Sequence, residues 1–100
     1  MQANVVNAEG RAVIRLQGRF DFNAHREFRG AVDEAMKGDV REVVVDLAGV
    51  DYLDSSALGM LLMLRDKTRS VNKAVTLTGS HGAVKQVLDI ANFNKLFAIG

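Results

Sequence analysis

The protein has 100 residues, of which 48% are apolar and 25% are charged, and it contains neither cysteine nor proline. Its 13 basic and 12 acidic side chains are interspersed and give a formal net charge of +1. This balance argues against a direct nucleic-acid partner and against binding to an anionic membrane surface, and the absence of cysteine excludes disulfides and thiolate metal sites.

The amino-terminal residues lack the basic and apolar regions of a signal peptide. The longest apolar run, residues 57–64, has 8 residues. That is far below the roughly 20 residues that span a bilayer. We therefore expect a cytoplasmic protein with no membrane partner, folded as a single domain over residues 1–100 around one core.

Two β-rich runs open the chain. Val5-Val6 and residues 12–18 flank Glu9-Gly10, and an acidic residue followed by glycine between two such runs predicts a hairpin. In the second run apolar side chains stand at alternate positions, as in a half-buried strand.

A helix is predicted next, capped by Asn23 and ended by Gly38. Its apolar residues recur at helical spacing, and they are Ala24, Phe28, Ala31, Val32, Ala35 and Met36. The run Val43 to Leu47 is almost entirely apolar and β-branched, which is typical of a central strand covered on both faces.

A loop over residues 48–53 leads to Asp54-Ser55-Ser56 and to a second helix that runs to about Val71. Residues 74–78 predict another strand, and Gly79-Ser80 is placed to cap a third helix. The tail is apolar enough to dock on the core as a short final strand. This order predicts an α/β fold, with a small mixed sheet of four to five strands and helices packed mainly on one face.

The sequence contains none of the common enzyme motifs, neither G-x-S-x-G, nor a P-loop, nor G-x-G-x-x-G. His25 and His81 fall in the first turns of their predicted helices and share no ligand spacing. We therefore expect no catalytic residue, no metal site and no cofactor.

The second helix has more apolar surface than one contact face requires. The face that suits a sheet consists of Ala57, Met60, Leu61, Leu64, Thr68 and Val71. Off that face lies a second group, here called the outer patch, which consists of Leu58, Gly59, Leu62 and Met63. An apolar patch beside a helix start is typical of a docking surface for a partner, and the alternative is that the apolar tail covers it.

The segment Asp54-Ser55-Ser56 also has two interpretations. In the simpler one Asp54 or Ser55 caps the second helix, and Ser56 only fills the first turn. The other comes from a resemblance. Residues 54–59, D-S-S-A-L-G, resemble the signature loop D-S-S/T-G/A-L-G of the STAS family of bacterial anti-sigma factor antagonists.

The resemblance extends along the whole chain. Residues 16–21 match the family pattern L-x-G-x-x-D, and residues 43–47 match its V-V-V-D-L strand. Length and element order also agree with the family. One departure is Ala57, where many members have glycine.

The resemblance implies a protein-interaction switch rather than an enzyme. In the family, a serine-kinase-type anti-sigma factor phosphorylates a serine of this motif, and a metal-dependent serine phosphatase removes the phosphate. The unphosphorylated antagonist binds the kinase and so frees the sigma factor. By this resemblance Ser56 is the acceptor, Asp21, Asp54 and Ser55 shape the site, and the outer patch binds the partner.

Two alternatives stay open. The first is a STAS module that regulates a pathway without a sigma factor, such as two-component, secretion or biofilm signalling. The second is a small hydrolase or phosphocarrier that uses Ser56 or a histidine. The second requires a base within hydrogen-bond reach of the serine hydroxyl.

Overall fold

The computed structural model describes every residue from Met1 to Gly100. Its strands are β1 (Gln2–Ala8), β2 (Arg11–Phe20), β3 (Glu42–Leu53), β4 (Ala74–Thr78) and β5 (Ala98–Ile99), and its helices are α1 (His25–Ala35), α2 (Ser55–Ser70) and α3 (Gly82–Ile90). The strands form one sheet in the order β1-β2-β3-β4-β5. The β1–β2 pair is antiparallel and the other pairs are parallel, so the predicted mixed α/β sheet is confirmed.

The predicted hairpin joins β1 to β2. Glu9 and Gly10 have φ angles of 51° and 83°. Positive φ at both central residues is the geometry of a type I′ turn, whose twist matches that of the flanking strands.

All three helices pack on one face of the sheet. Each parallel connection steps one strand in the same direction, and right-handed crossovers then place every helix on the same side. The core is a single cluster of 23 buried side chains between this sheet face and the helices.

The expectation that β3 is covered on both faces is wrong. Val43, Val45 and Leu47 are fully buried, whereas Val44 and Asp46 between them are half-buried and face away from the helices. Valine suits a pleated strand on either face, so the local sequence does not show which side is covered.

Two helix starts differ from the predicted ones. Before α1 the chain makes a 3-10 turn over Phe22–Ala24, so the cap falls on Asp21 instead of Asn23. Helix α3 begins at Gly82, with His81 at the N-cap position and no side-chain cap, and so Gly79-Ser80 does not cap it.

The tail docks on the core, as predicted. Phe93 and Phe97 are buried, with ring centroids 5.2 Å apart. They hold β5 beside β4, where the Gly100 N–H donates to the Leu77 carbonyl at 2.9 Å. No helix in the structure is both long enough and apolar enough to cross a bilayer.

Candidate functional site

Asp54 builds the start of α2. Its backbone is extended, and its Oδ1 accepts the Ala57 N–H at 3.0 Å, which satisfies one of the free amides of the first turn. Ser55 and Ser56 are the first two residues of the helix. Ser55 is exposed and Ser56 is half-buried, so the predicted location of Ser56 inside the start of a 16-residue helix is confirmed.

The structure brings Asp21 to the same edge of the sheet. Phe20 and Leu53 are partners in the parallel ladder, and the Asp54 N–H donates to the Phe20 carbonyl at 3.3 Å. Asp21 and Asp54 each follow one of these partners, so the two acidic residues stand side by side where β2 and β3 end. Asp21 also caps its own turn, since its Oδ1 accepts the Asn23 N–H at 3.0 Å.

An arginine and a tyrosine that the sequence analysis did not single out lie at this edge. Arg19 and Tyr52 are register partners, and the guanidinium carbon lies 4.0 Å from the ring centroid. The Arg19 Nε is also 3.6 Å from the Asp21 Oδ2. Two register irregularities in the β2–β3 ladder decide this pairing, and no pattern in the sequence indicates it.

Phe22 is a second feature missed from sequence. It lies in the 3-10 turn next to Asp21, and 73% of it is exposed. This turn contacts α2. The exposed aromatic ring of Phe22 therefore lies in a turn that packs against α2.

The outer patch lies on the accessible side of α2. Leu58, Leu62 and Met63 are half-buried and Gly59 is exposed, whereas the face toward the sheet is buried. The predicted sheet-facing set is confirmed except for Val71, which is 51% exposed. Val71 follows the last residue of the helix, where the chain has left the helical path.

The tail reaches α2 through Arg65, whose Nε donates to the Leu96 carbonyl at 2.8 Å. Its two phenylalanines enter the core, and Leu96 itself is 39% exposed. The outer patch keeps part of its surface in solvent although the tail is docked.

Neither histidine is hydrogen-bonded to Ser56. His81 Nε2 lies 3.0 Å from the Ala48 carbonyl oxygen, a contact that fastens the start of α3 to β3. His25 is exposed at the first position of α1. No three His, Cys, Asp or Glu side chains are grouped so as to hold a metal ion.

Two relatives illustrate the similarity of this chain to known sequences. The chain is 47% identical over 94 residues to a STAS-domain-containing protein of Pseudomonas aeruginosa, covering 93% of this chain and 92% of that protein. It is 27% identical over 100 residues to BtrV of Bordetella bronchiseptica, which carries the name of an anti-sigma factor antagonist, covering 99% of this chain and 85% of that protein.

Solved structures share the fold at low sequence identity. An anti-sigma factor antagonist from Mycobacterium paratuberculosis has a TM-score of 0.86 at 18% identity, covering 98% of this chain and 83% of that one. The Bacillus anti-sigma factor antagonist SpoIIAA has a TM-score of 0.73 at 19% identity in both its unphosphorylated and its phosphorylated form, each covering 98% of this chain and 86% and 90% of the SpoIIAA chains, respectively.

The family relationship rests on the sequence model as well as on the fold. The family model described as "Mlab, STAS domain" matches residues 4–98. That match covers nearly every element of the sheet and all three helices. The chain belongs to the STAS domain family.

Proposed function

We propose that this protein is an anti-sigma factor antagonist controlled by phosphorylation of Ser56. Residues 1–100 act as one cytoplasmic STAS domain with no catalytic activity of its own. The unphosphorylated form binds a serine-kinase-type anti-sigma factor and displaces its sigma factor. A metal-dependent serine phosphatase restores that form after phosphorylation.

The observation that carries this proposal is the location of Ser56. It lies in the first turn of α2, half-buried, at the edge of the sheet where Asp21 and Asp54 follow the neighbouring ends of β2 and β3. The outer patch continues from it along the same helix. A modified serine here is thus flanked by an apolar contact surface on one side and by acidic side chains on the other.

The charge of a phosphate at this position acts on binding more than on folding. A phosphoserine adds about −1.5 to −2 charges and three acceptor oxygens. The free amides and dipole of a helix start stabilise such a charge by about 0.3–1 kcal/mol, and Asp21 and Asp54 oppose it by repulsion. A partner that covers the serine would have to bury the unpaired charge, which costs several kcal/mol, and each 1.4 kcal/mol is tenfold in affinity.

The test separates two effects on partner binding, the loss of the Ser56 hydroxyl and the gain of a negative charge at that position. The unmodified protein is used to recover the kinase partner, and the partner is then assayed with Ser56→Ala and Ser56→Asp by calorimetry. Ser56→Ala should bind as the parent does and should stay bound in the presence of ATP. Ser56→Asp should bind at least about tenfold more weakly, because the partner would have to bury its negative charge. That charge is roughly half the charge of a phosphate.

Ser55→Ala is the matched control, since it removes the neighbouring hydroxyl from the same helix turn. Mass spectrometry of residues 54–57 after incubation with kinase and ATP should still find phosphate on Ser56 in this variant. Phosphate on Ser55 in the parent, or equal affinity of Ser56→Ala and Ser56→Asp for the partner, would contradict the proposal.

The same experiment addresses the alternatives. A recovered partner with a kinase fold but no bound sigma factor points to a STAS module of another pathway. Turnover of a phosphoester by the purified protein alone, lost in Ser56→Ala, would instead support the hydrolase alternative.

A further inference from the structure

The sheet face opposite the helices, here called the open face, carries an apolar row across all five strands. Register partners align the outward residues of neighbouring strands. The row consists of Val6, Val13, Val44, Thr76 and Ala98, and its one hydroxyl, that of Thr76, donates to the Glu42 Oε2 at 2.6 Å. Val6 is 44% exposed, and none of the three valines belongs to the core or packs against it.

Charged side chains flank this row on both sides, and they are segregated by strand. On one side Arg11 of β2 forms an ion pair of 3.0 Å with Glu42 of β3. On the other side Arg15 of β2 is the register partner of Asp46 of β3. The open face therefore has a basic strand beside an acidic strand, with valines between the charged positions on each.

This arrangement is self-complementary for only one of two ways of stacking two copies. A two-fold axis across the strands would place Arg11 over Arg15 and Glu42 over Asp46 of the second copy. An axis along the strands, between β2 and β3, places each arginine over a carboxylate at the same height. The same axis superimposes the two valine rows.

We propose that the open face is the interface of a homodimer in which two copies stack face to face about a two-fold axis parallel to the strands. Each copy contributes the same patch, as in an isologous interface. Packed sheets keep their strands nearly aligned at a separation of about 10 Å, a distance that valine pairs fill.

The area of the open face determines the expected affinity of the dimer. Five strands spaced at about 4.8 Å make a face roughly 20 Å across, and the three rows with their side chains add a similar height. Such a contact covers about 400 Å² on each copy, about half of a standard interface, so we expect a weak dimer with a dissociation constant on the order of 100 µM.

The dimer does not depend on the proposed switch. Helix α2 and the outer patch belong to the helical layer on the other side of the sheet. The dimer therefore leaves the outer patch free.

Sedimentation equilibrium over protein concentrations from about 1 to about 500 µM tests the dimer. The parent should pass from monomer to dimer in this range, and Val44→Glu should stay monomeric because it places a charge in the middle of the apolar row. Val71→Glu is the matched control, since Val71 is 51% exposed and lies outside the open face, and it should dimerise as the parent does. A parent that is monomeric throughout, or a dimer that survives Val44→Glu, would overturn the proposal.

Two charge-reversal variants provide a second test, because recovery of association on mixing them cannot result from unfolding. Arg11→Glu and Glu42→Arg each place like charges opposite one another, so either variant alone should dimerise at least about tenfold more weakly. An equimolar mixture should form a mixed dimer, because each altered residue then meets its opposite charge. Circular dichroism checks that both variants are folded, and failure of the folded variants to associate on mixing would refute the axis along the strands.

Discussion

Asp21 and Asp54 each have a structural role that does not depend on a partner, because each caps the helical turn that follows it. Each ends a strand, has an extended backbone and accepts a backbone N–H at 3.0 Å from the turn that follows. Because β2 and β3 are register neighbours, the two capping residues lie at adjacent strand ends, on the edge where Ser56 lies. At the scale of the residue, the same carboxylates thus start two helical segments and set the charge beside the proposed acceptor.

Removal of one cap isolates the structural part of this role. Asp54→Ala should lower the free energy of unfolding by about 1 kcal/mol, because the Ala57 N–H loses its acceptor. For a domain of this size that corresponds to a fall in Tm of roughly 4–8 °C. Asp54→Asn retains a capping oxygen and should recover most of the loss. Thermal unfolding followed by circular dichroism measures both variants, and equal Tm values for the two would mean that the cap contributes nothing.

The connection from β4 to α3 shows how one element is fixed against another. Gly79 has a φ of +75° and approaches β3 so closely that an added Cβ would lie 2.8 Å from the Ala48 nitrogen. His81 makes a second contact, to the Ala48 carbonyl. At the scale of the element, α3 is therefore anchored to the β3 backbone at Ala48, by the close approach of Gly79 and by the His81 side chain, and no side chain caps the first-turn amides of α3.

Gly38 provides a matched control for this element, because its φ is +78° and an added Cβ would meet nothing within 4 Å. Gly38→Ala should cost only the left-handed backbone penalty of about 1–2 kcal/mol. Gly79→Ala should cost about 1–3 kcal/mol more, because backbone atoms of β3 must move. Urea unfolding gives both free energies. Similar losses in the two variants would show that the close approach to Ala48 is not a constraint.

The whole molecule is a two-layer structure, with three helices on one face of the sheet and none on the other. Val44 and Val45 are adjacent in β3, and only Val45 belongs to the core. Threonine is isosteric with valine and equally suited to a strand. A difference in stability between Val44→Thr and Val45→Thr therefore depends only on whether each face of the sheet is covered.

Val45→Thr should lower the free energy of unfolding by about 1–3 kcal/mol, because a hydroxyl is buried without a partner. Val44→Thr should stay within about 0.5 kcal/mol of the parent when measured in dilute solution, where the proposed dimer dissociates. Chemical denaturation at one low protein concentration compares them. A loss at Val44 as large as that at Val45 would indicate that something covers both faces of β3.

The sequence by itself determined the order of the elements, the turn at Glu9-Gly10 and the start of α2 just before Ser56. These features depend on alternation, helical periodicity and capping within a few residues of each other, and such short-range patterns can be read directly along the chain. The tertiary structure alone decided the order of the parallel strands β2 to β5 and which face of β3 is covered. It also decided that Val13 aligns with Val44 and that Arg19 stacks on Tyr52, because each pair joins residues more than 30 positions apart, and the second pair also depends on two irregularities in the register.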